Sequence, residues 1–152
     1  MEIQIKLLNA GELAAAFRKA PNIATREYGR AVEKTAFKIE GDAKKNAPVN
    51  RQSGGGTLRQ LISSRMSGAL SAVVEARAKY SGYVDQGTRP HLISVINKRV
   101  LANKRTGQFF GRVVHHPGTR RQSFFTDAVR GNEDFFNTEM TGALKTVLNS
   151  IH

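Results

Sequence analysis

Ile3, Ile5 and Leu7 alternate with Glu2, Gln4 and Lys6 at the start of the chain, and a period of two is the pattern of a strand with one buried face. A short helix over residues 11–20 is expected to follow. From Pro21 the period changes: Ala24, Tyr28, Ala31, Val32, Thr35, Ile39 and Ala43 recur every three or four residues as far as Asn46, which predicts the longest helix of the chain, apolar along one stripe. Pro21 suits a first helical turn, where its missing N–H costs nothing. Pro48 forces Ala47 out of helical backbone and removes a donor, so the helix must end there.

Residues 50–56, NRQSGGG, read as a flexible loop, short enough to join elements inside one domain. TLRQLISSRM and ALSAVVEAR predict a helical turn or strand and then two extended segments around Ser67-Gly68, with Val74 and Ala76 opposing Val73 and Glu75. An antiparallel hairpin is the natural result. HLISVI (91–96) and FFGRVVHH (109–116) read as strands, and NKRVLANKRTGQ (97–108) between them as a flexible basic loop. FFTDAVRGN forms a short helix; Asn132 then caps another, with Glu133 and Asp134 in its first turn and Phe136, Met140, Ala143, Leu144, Val147 and Ile151 as its apolar stripe. Helices flanking a block of strands predict an α+β fold, with the long and C-terminal helices packed on an antiparallel sheet, in a single domain over residues 1–152.

Charge sharpens this picture. The formal net charge is +12, and the excess is concentrated: no carboxylate occurs from Gln86 through Thr126, whereas Arg89, Lys98, Arg99, Lys104, Arg105, Arg112, Arg120 and Arg121 all fall there. A patch of one sign attracts polyanions or an acidic partner surface in a salt-dependent way. The absence of cysteine removes disulfides, thiolate nucleophiles and thiolate metal sites. The N-terminal residues lack both a basic start and a long apolar run, so neither a signal peptide nor a membrane span is expected.

Candidate chemistry is sparse. His115 and His116 are neighbours on a predicted strand, so their side chains point to opposite faces and do not share a metal; one is expected packed and the other wet. The run from Gly54 to Gly56 lacks the Gly-Lys-Ser or Gly-Lys-Thr of a phosphate loop, and no Gly-x-Ser-x-Gly elbow is present. No enzyme activity, cofactor or metal is expected. Phe109 and Phe110, interleaved with cations, have the composition of a base-stacking surface, although a strand there is expected to bury at least one of them.

Two turns remain. Tyr83, Val84, Gly87, Thr88 and Arg89 predict a tight turn in which Gly87 takes positive φ and Thr88 ties its hydroxyl back to the chain. His116, Pro117, Gly118, Thr119 and Arg120 repeat that chemistry, with a type II turn at Pro117-Gly118. Phe124 and Phe125 follow as docking aromatics, leaving Arg120 and Arg121 presented to a neighbour.

A helix ending in Lys45-Asn46-Ala47-Pro48-Val49, a glycine-bearing loop into Thr57-Leu58-Arg59, Tyr83-Val84 with Gly87-Thr88-Arg89, and His116-Pro117-Gly118-Thr119 before Phe124 and Ala128 occur in that order. The set resembles the small tail-component family of lambdoid tailed phages, described as minor tail, tail-completion or head-tail joining proteins, over about residues 24–130. The resemblance implies a long helix across a curved antiparallel sheet and a structural virion protein of the neck or tail, assembled in the host bacterial cytoplasm. It implies self-association into a ring of six subunits to match the tail tube, and contact with head-closure, tail-terminator or tail-tube proteins. The DNA end is a further, non-specific contact, and a membrane is not one. The alternative function is sequence-independent DNA binding through the basic 89–121 segment.

Overall fold

The computed structural model describes residues 1–6, 18, 20–49, 56–96, 99–103 and 106–150. The expected helix over residues 11–20 lies almost wholly outside these, as do most of the glycine loop and Ile151. The chain forms two compact units, one comprising residues 1–81 and 123–152, the other residues 82–122.

In the first unit β1 (Glu2–Lys6), β2 (Ile62–Gly68) and β3 (Ser71–Ala76) form an antiparallel sheet in the order β1-β3-β2. The expected hairpin forms, but Ser67 and Gly68 still belong to β2 and the turn falls at residues 69–70; Val74 stands opposite Ile3 on one side and Ser64 on the other. Ala72, Val73, Val74 and Ala76 are all buried, which a central strand requires.

The long helix α1 (Pro21–Asn46) lies on this sheet and buries the predicted stripe of Ala24, Tyr28, Ala31, Val32, Thr35, Ile39 and Ala43, together with Ala36. Ala47 leaves the helix with φ −61° and ψ 128°, as the following Pro48 demands. The carbonyls freed at this end find a side chain: Arg59, in the short helix α2 (Thr57–Gln60), donates from Nη2 to the carbonyl oxygens of Lys45 and Ala47 at 3.2 and 3.3 Å. A carboxylate ties the helix to the sheet. Glu40 accepts hydrogen bonds from Ser64 N–H, at 2.7 Å, and from the Ser64 hydroxyl, and pairs with Lys44. Burial alone would push its carboxyl up, but these donors together hold it below its ordinary value.

After residues 82–122 the chain re-enters this unit as α4 (Phe124–Arg130) and α5 (Glu133–Asn149), both packed against α1. Phe124 and Phe125 are buried, their rings edge to face at 6.2 Å. Ala143 and Val147 of α5 join Ala24, Tyr28 and Ala31 in one apolar cluster, flanked by Ile23, Leu70, Met140 and Leu144. Asn132 holds the N-cap position of α5, as predicted, but its side chain caps nothing. Its Nδ2 donates instead to Asp42 Oδ2 on α1, at 2.8 Å, and to the Ala128 carbonyl, at 2.7 Å. The buried elbow between α4 and α5 is thus anchored to the long helix. The Asn132 bond and the Lys38 ion pair keep the Asp42 carboxyl below its ordinary value. The class is α+β. Among the described residues no helix is long and apolar enough to cross a membrane.

Candidate functional site

Residues 82–122 carry most of the predicted site residues. The unit begins in α3 (Ser81–Gln86), so Tyr83 and Val84 lie on a short helix and not in the turn itself, a correction to the sequence reading. The turn starts at Gly87, with φ +75°. Thr88 and Thr119 then form an antiparallel bridge, each donating its N–H to the other's carbonyl, at 3.1 and 3.2 Å. Their hydroxyls lie 2.6 Å apart, and the Thr119 N–H also reaches Thr88 Oγ1 at 2.9 Å. The two Gly-Thr-Arg tripeptides therefore clasp each other.

The glycines are dictated by this contact. A Cβ at Gly118, whose φ is +89°, would stand 2.3 Å from the Thr88 carbonyl oxygen, and one at Gly87 would stand 2.6 Å from that of Thr119. Each turn leaves room for the other only because it has no side chain there. The positive φ at Gly118 also fits the type II turn expected after Pro117.

Beyond the clasp, β4 (His91–Ser94) pairs antiparallel with β7 (Val113–His116), and β5 (Leu101–Ala102) with β6 (Phe109–Gly111). The segment 97–108, expected to be loop throughout, thus contributes a strand because Leu101 and Ala102 find partners in β6. His91 lies opposite His116, their rings stacked at 5.0 Å, while His115 points to the other face and is exposed. His116 Nδ1 accepts the Gly118 N–H at 3.0 Å, which fixes that ring against the turn.

Directly opposed residues share a face, so one face of the β4–β7 ribbon carries Leu92, Ser94, Val113 and His115. All four are exposed, Leu92 at 67% and Val113 at 56%. Ile96, just past β4, is 93% exposed. Phe109 and Phe110 are exposed too. This corrects the expectation that a strand would bury one of them: β6 belongs to a two-stranded ribbon.

Arg89, Arg99, Arg112, Arg120 and Arg121 are exposed, and none forms an ion pair among the described residues. Lys98, Lys104 and Arg105 lie outside the described residues. The carboxylate of this unit, Asp85, is fully buried. Pro48, Phe124 and Phe125 belong to the other unit, where they end α1 and fill the core. The stretch HHPGTRRQSFF accordingly divides at Gln122, its turn in one unit and its aromatics in the other. Sequence reasoning missed Leu92, Ile96 and Val113, whose apolar character pointed inward, and the His91 stack. The recurrence of Gly-Thr-Arg was the available signal for the clasp.

Among the described residues no group of three His, Cys, Asp or Glu side chains gathers to hold a metal. In composition the unit sets exposed arginines and aromatics beside exposed apolar residues, with no exposed carboxylate among its described residues. A family model described as "Bacteriophage HK97-gp10, putative tail-component" matches residues 11–87, half of the chain, ending at the first glycine of the clasp. No curated protein and no solved structure matches.

Proposed function

The chain belongs to the HK97 gp10-like family of phage tail components, and we propose that it is a structural virion protein that completes the tail or joins it to the head at the neck as a ring subunit. The observation that carries this reading is the family match, which covers α1, the hairpin and the entry to the clasp. The surface beyond the match supports it. The clasp fixes two turns with backbone and hydroxyl bonds, and arginines and apolar side chains stand outward from them, which suits docking of one protein on another. A ring of six would match the symmetry of a tail tube, with head-closure, tail-terminator or tail-tube proteins as neighbours. No residue is assigned a catalytic role. Mass spectrometry of purified particles tests the reading: stoichiometric presence supports it, and absence from particles overturns it.

A second reading rests on Arg89, Arg99, Arg112, Arg120 and Arg121, which are exposed and form no ion pair among the described residues. As a sequence-independent DNA contact they predict a duplex affinity that falls ~10³-fold or more between about 50 and 200 mM salt. Weak binding at every salt concentration rules this reading out.

A further inference from the structure

We propose that copies of this chain associate head to tail, the open face of the β4–β7 ribbon of one copy resting on the Glu33-Phe37-Gly41 stripe of α1 in the next; the inference rests on the ring reading above and names its contact surfaces. The first observation is the bare ribbon. Two-stranded ribbons are marginal in water and are completed by packing against something else. Leu92 and Val113 lie diagonally on the open face, each opposite a polar residue, His115 and Ser94, with Ile96 just past the strand, and all three apolar residues are exposed.

Charge decides what can cover that face. The exposed arginines of its unit, Arg89, Arg99, Arg112, Arg120 and Arg121, form no ion pair among the described residues, and the unit exposes no carboxylate among them. Two copies meeting ribbon to ribbon would bring like charges together, so a contact using the same patch twice is disfavoured. Duplex DNA would satisfy the arginines but gives Leu92, Ile96 and Val113 no apolar surface to bury against.

The other unit supplies both requirements. Phe37 on α1 is 72% exposed, and Glu33 and Gly41 lie one turn to either side of it on the same stripe, both exposed. A Cβ at Gly41 would meet nothing within 4 Å, so the surface beside Phe37 is open. Four of the cations around the stripe have partners, Arg30 with Glu27, Lys34 with Glu139, Lys38 with Asp42 and Lys44 with Glu40, while Lys45, one turn beyond Gly41, forms no ion pair among the described residues. Glu33 forms no ion pair among the described residues and is left to receive a partner's arginine. Donor and acceptor patches differ, so the contact repeats from copy to copy and closes into a ring when the rotation allows.

Sedimentation velocity on the nuclease-treated full chain, at concentrations up to about 0.1 mM, where a micromolar association is nearly saturated, tests the proposal with Val113→Asp and Phe37→Asp. Both positions are exposed, and far-UV circular dichroism verifies that the variants fold; Leu92→Asp serves as a second ribbon variant. The wild type is expected to sediment as an assembly and each variant alone as a monomer. An equal mixture of the Val113 and Phe37 variants is expected to recover a dimer, because one brings an intact stripe and the other an intact ribbon. A monomeric wild type, variants that still assemble, or a mixture that stays monomeric overturns the proposal, as does assembly that disappears on nuclease treatment. The ring reading fails separately, through absence of the protein from particles.

Discussion

Gly118→Ala probes the clasp through two separable costs. A residue with a Cβ pays roughly 1–2 kcal/mol to hold left-handed backbone, and φ at Gly118 is +89°. Gly111 has nearly the same φ, +86°, but a Cβ there would meet nothing within 4 Å. Gly111→Ala should therefore show the backbone cost alone. At Gly118 the new Cβ would also lie 2.3 Å from the Thr88 carbonyl oxygen and 3.0 Å from the Arg89 carbonyl carbon. These are backbone atoms, so the turns must separate and lose the paired Thr88–Thr119 bonds, each worth about 1 kcal/mol. The difference between the variants is then about 2 kcal/mol, or roughly 30-fold in an opening equilibrium. Amide hydrogen exchange at Thr88 and Thr119 reads it directly, since both N–H groups are donors in the bridge. Exchange there is expected to accelerate about 30-fold more in the Gly118 variant than in the Gly111 variant, with amides of β2 and β3 unchanged. Equal exchange in the two variants would show that the clasp does not hold the turns together.

Gly29→Ala gains about 1 kcal/mol of helix propensity but places a Cβ 2.7 Å from the Ala69 carbonyl oxygen of the hairpin turn, whereas Gly41→Ala meets nothing. Urea unfolding should find the first destabilising and the second stabilising by about 0.5–1 kcal/mol. Val147→Ala removes a fully buried side chain between α5 and α1, and a loss of about 2 kcal/mol is expected in the same assay. Glu40→Gln tests the tie between α1 and β2. The wild-type carboxyl is held below its ordinary 4.5, so its contribution is complete above that pH and is lost as pH falls through the lowered value. The wild type should be the more stable at neutral pH, and the gap should close in acid; a gap independent of pH contradicts this.

The helical half of the fold was legible because its punctuation is local. Pro21 and Pro48 bracket α1, its stripe has one period, and the alternation of residues 71–76 gives the central strand. Asn132 was legible as a cap by position only: its amide turns to Asp42, remote in sequence, through a contact that no local pattern encodes. The candidate site was visible as charge and as a repeated tripeptide, but not as a clasp, because the pairing of Thr88 with Thr119 is tertiary. At least one of Phe109 and Phe110 read as buried because apolar residues on strands usually are, and Leu92 and Val113 were not singled out. Here they lie on two-stranded ribbons and face outward. The outward aromatic on α1, Phe37, likewise breaks its helix's pattern without announcing a role.

The most direct test of the central claim is deletion of this gene from the phage or prophage that encodes it, followed by electron microscopy of the induced lysate. Filled heads beside separate tails of normal length are the predicted result and place the protein at the junction, while overlong tails would assign it to tail termination. Intact, infectious particles from the deletion would contradict a structural role in the virion.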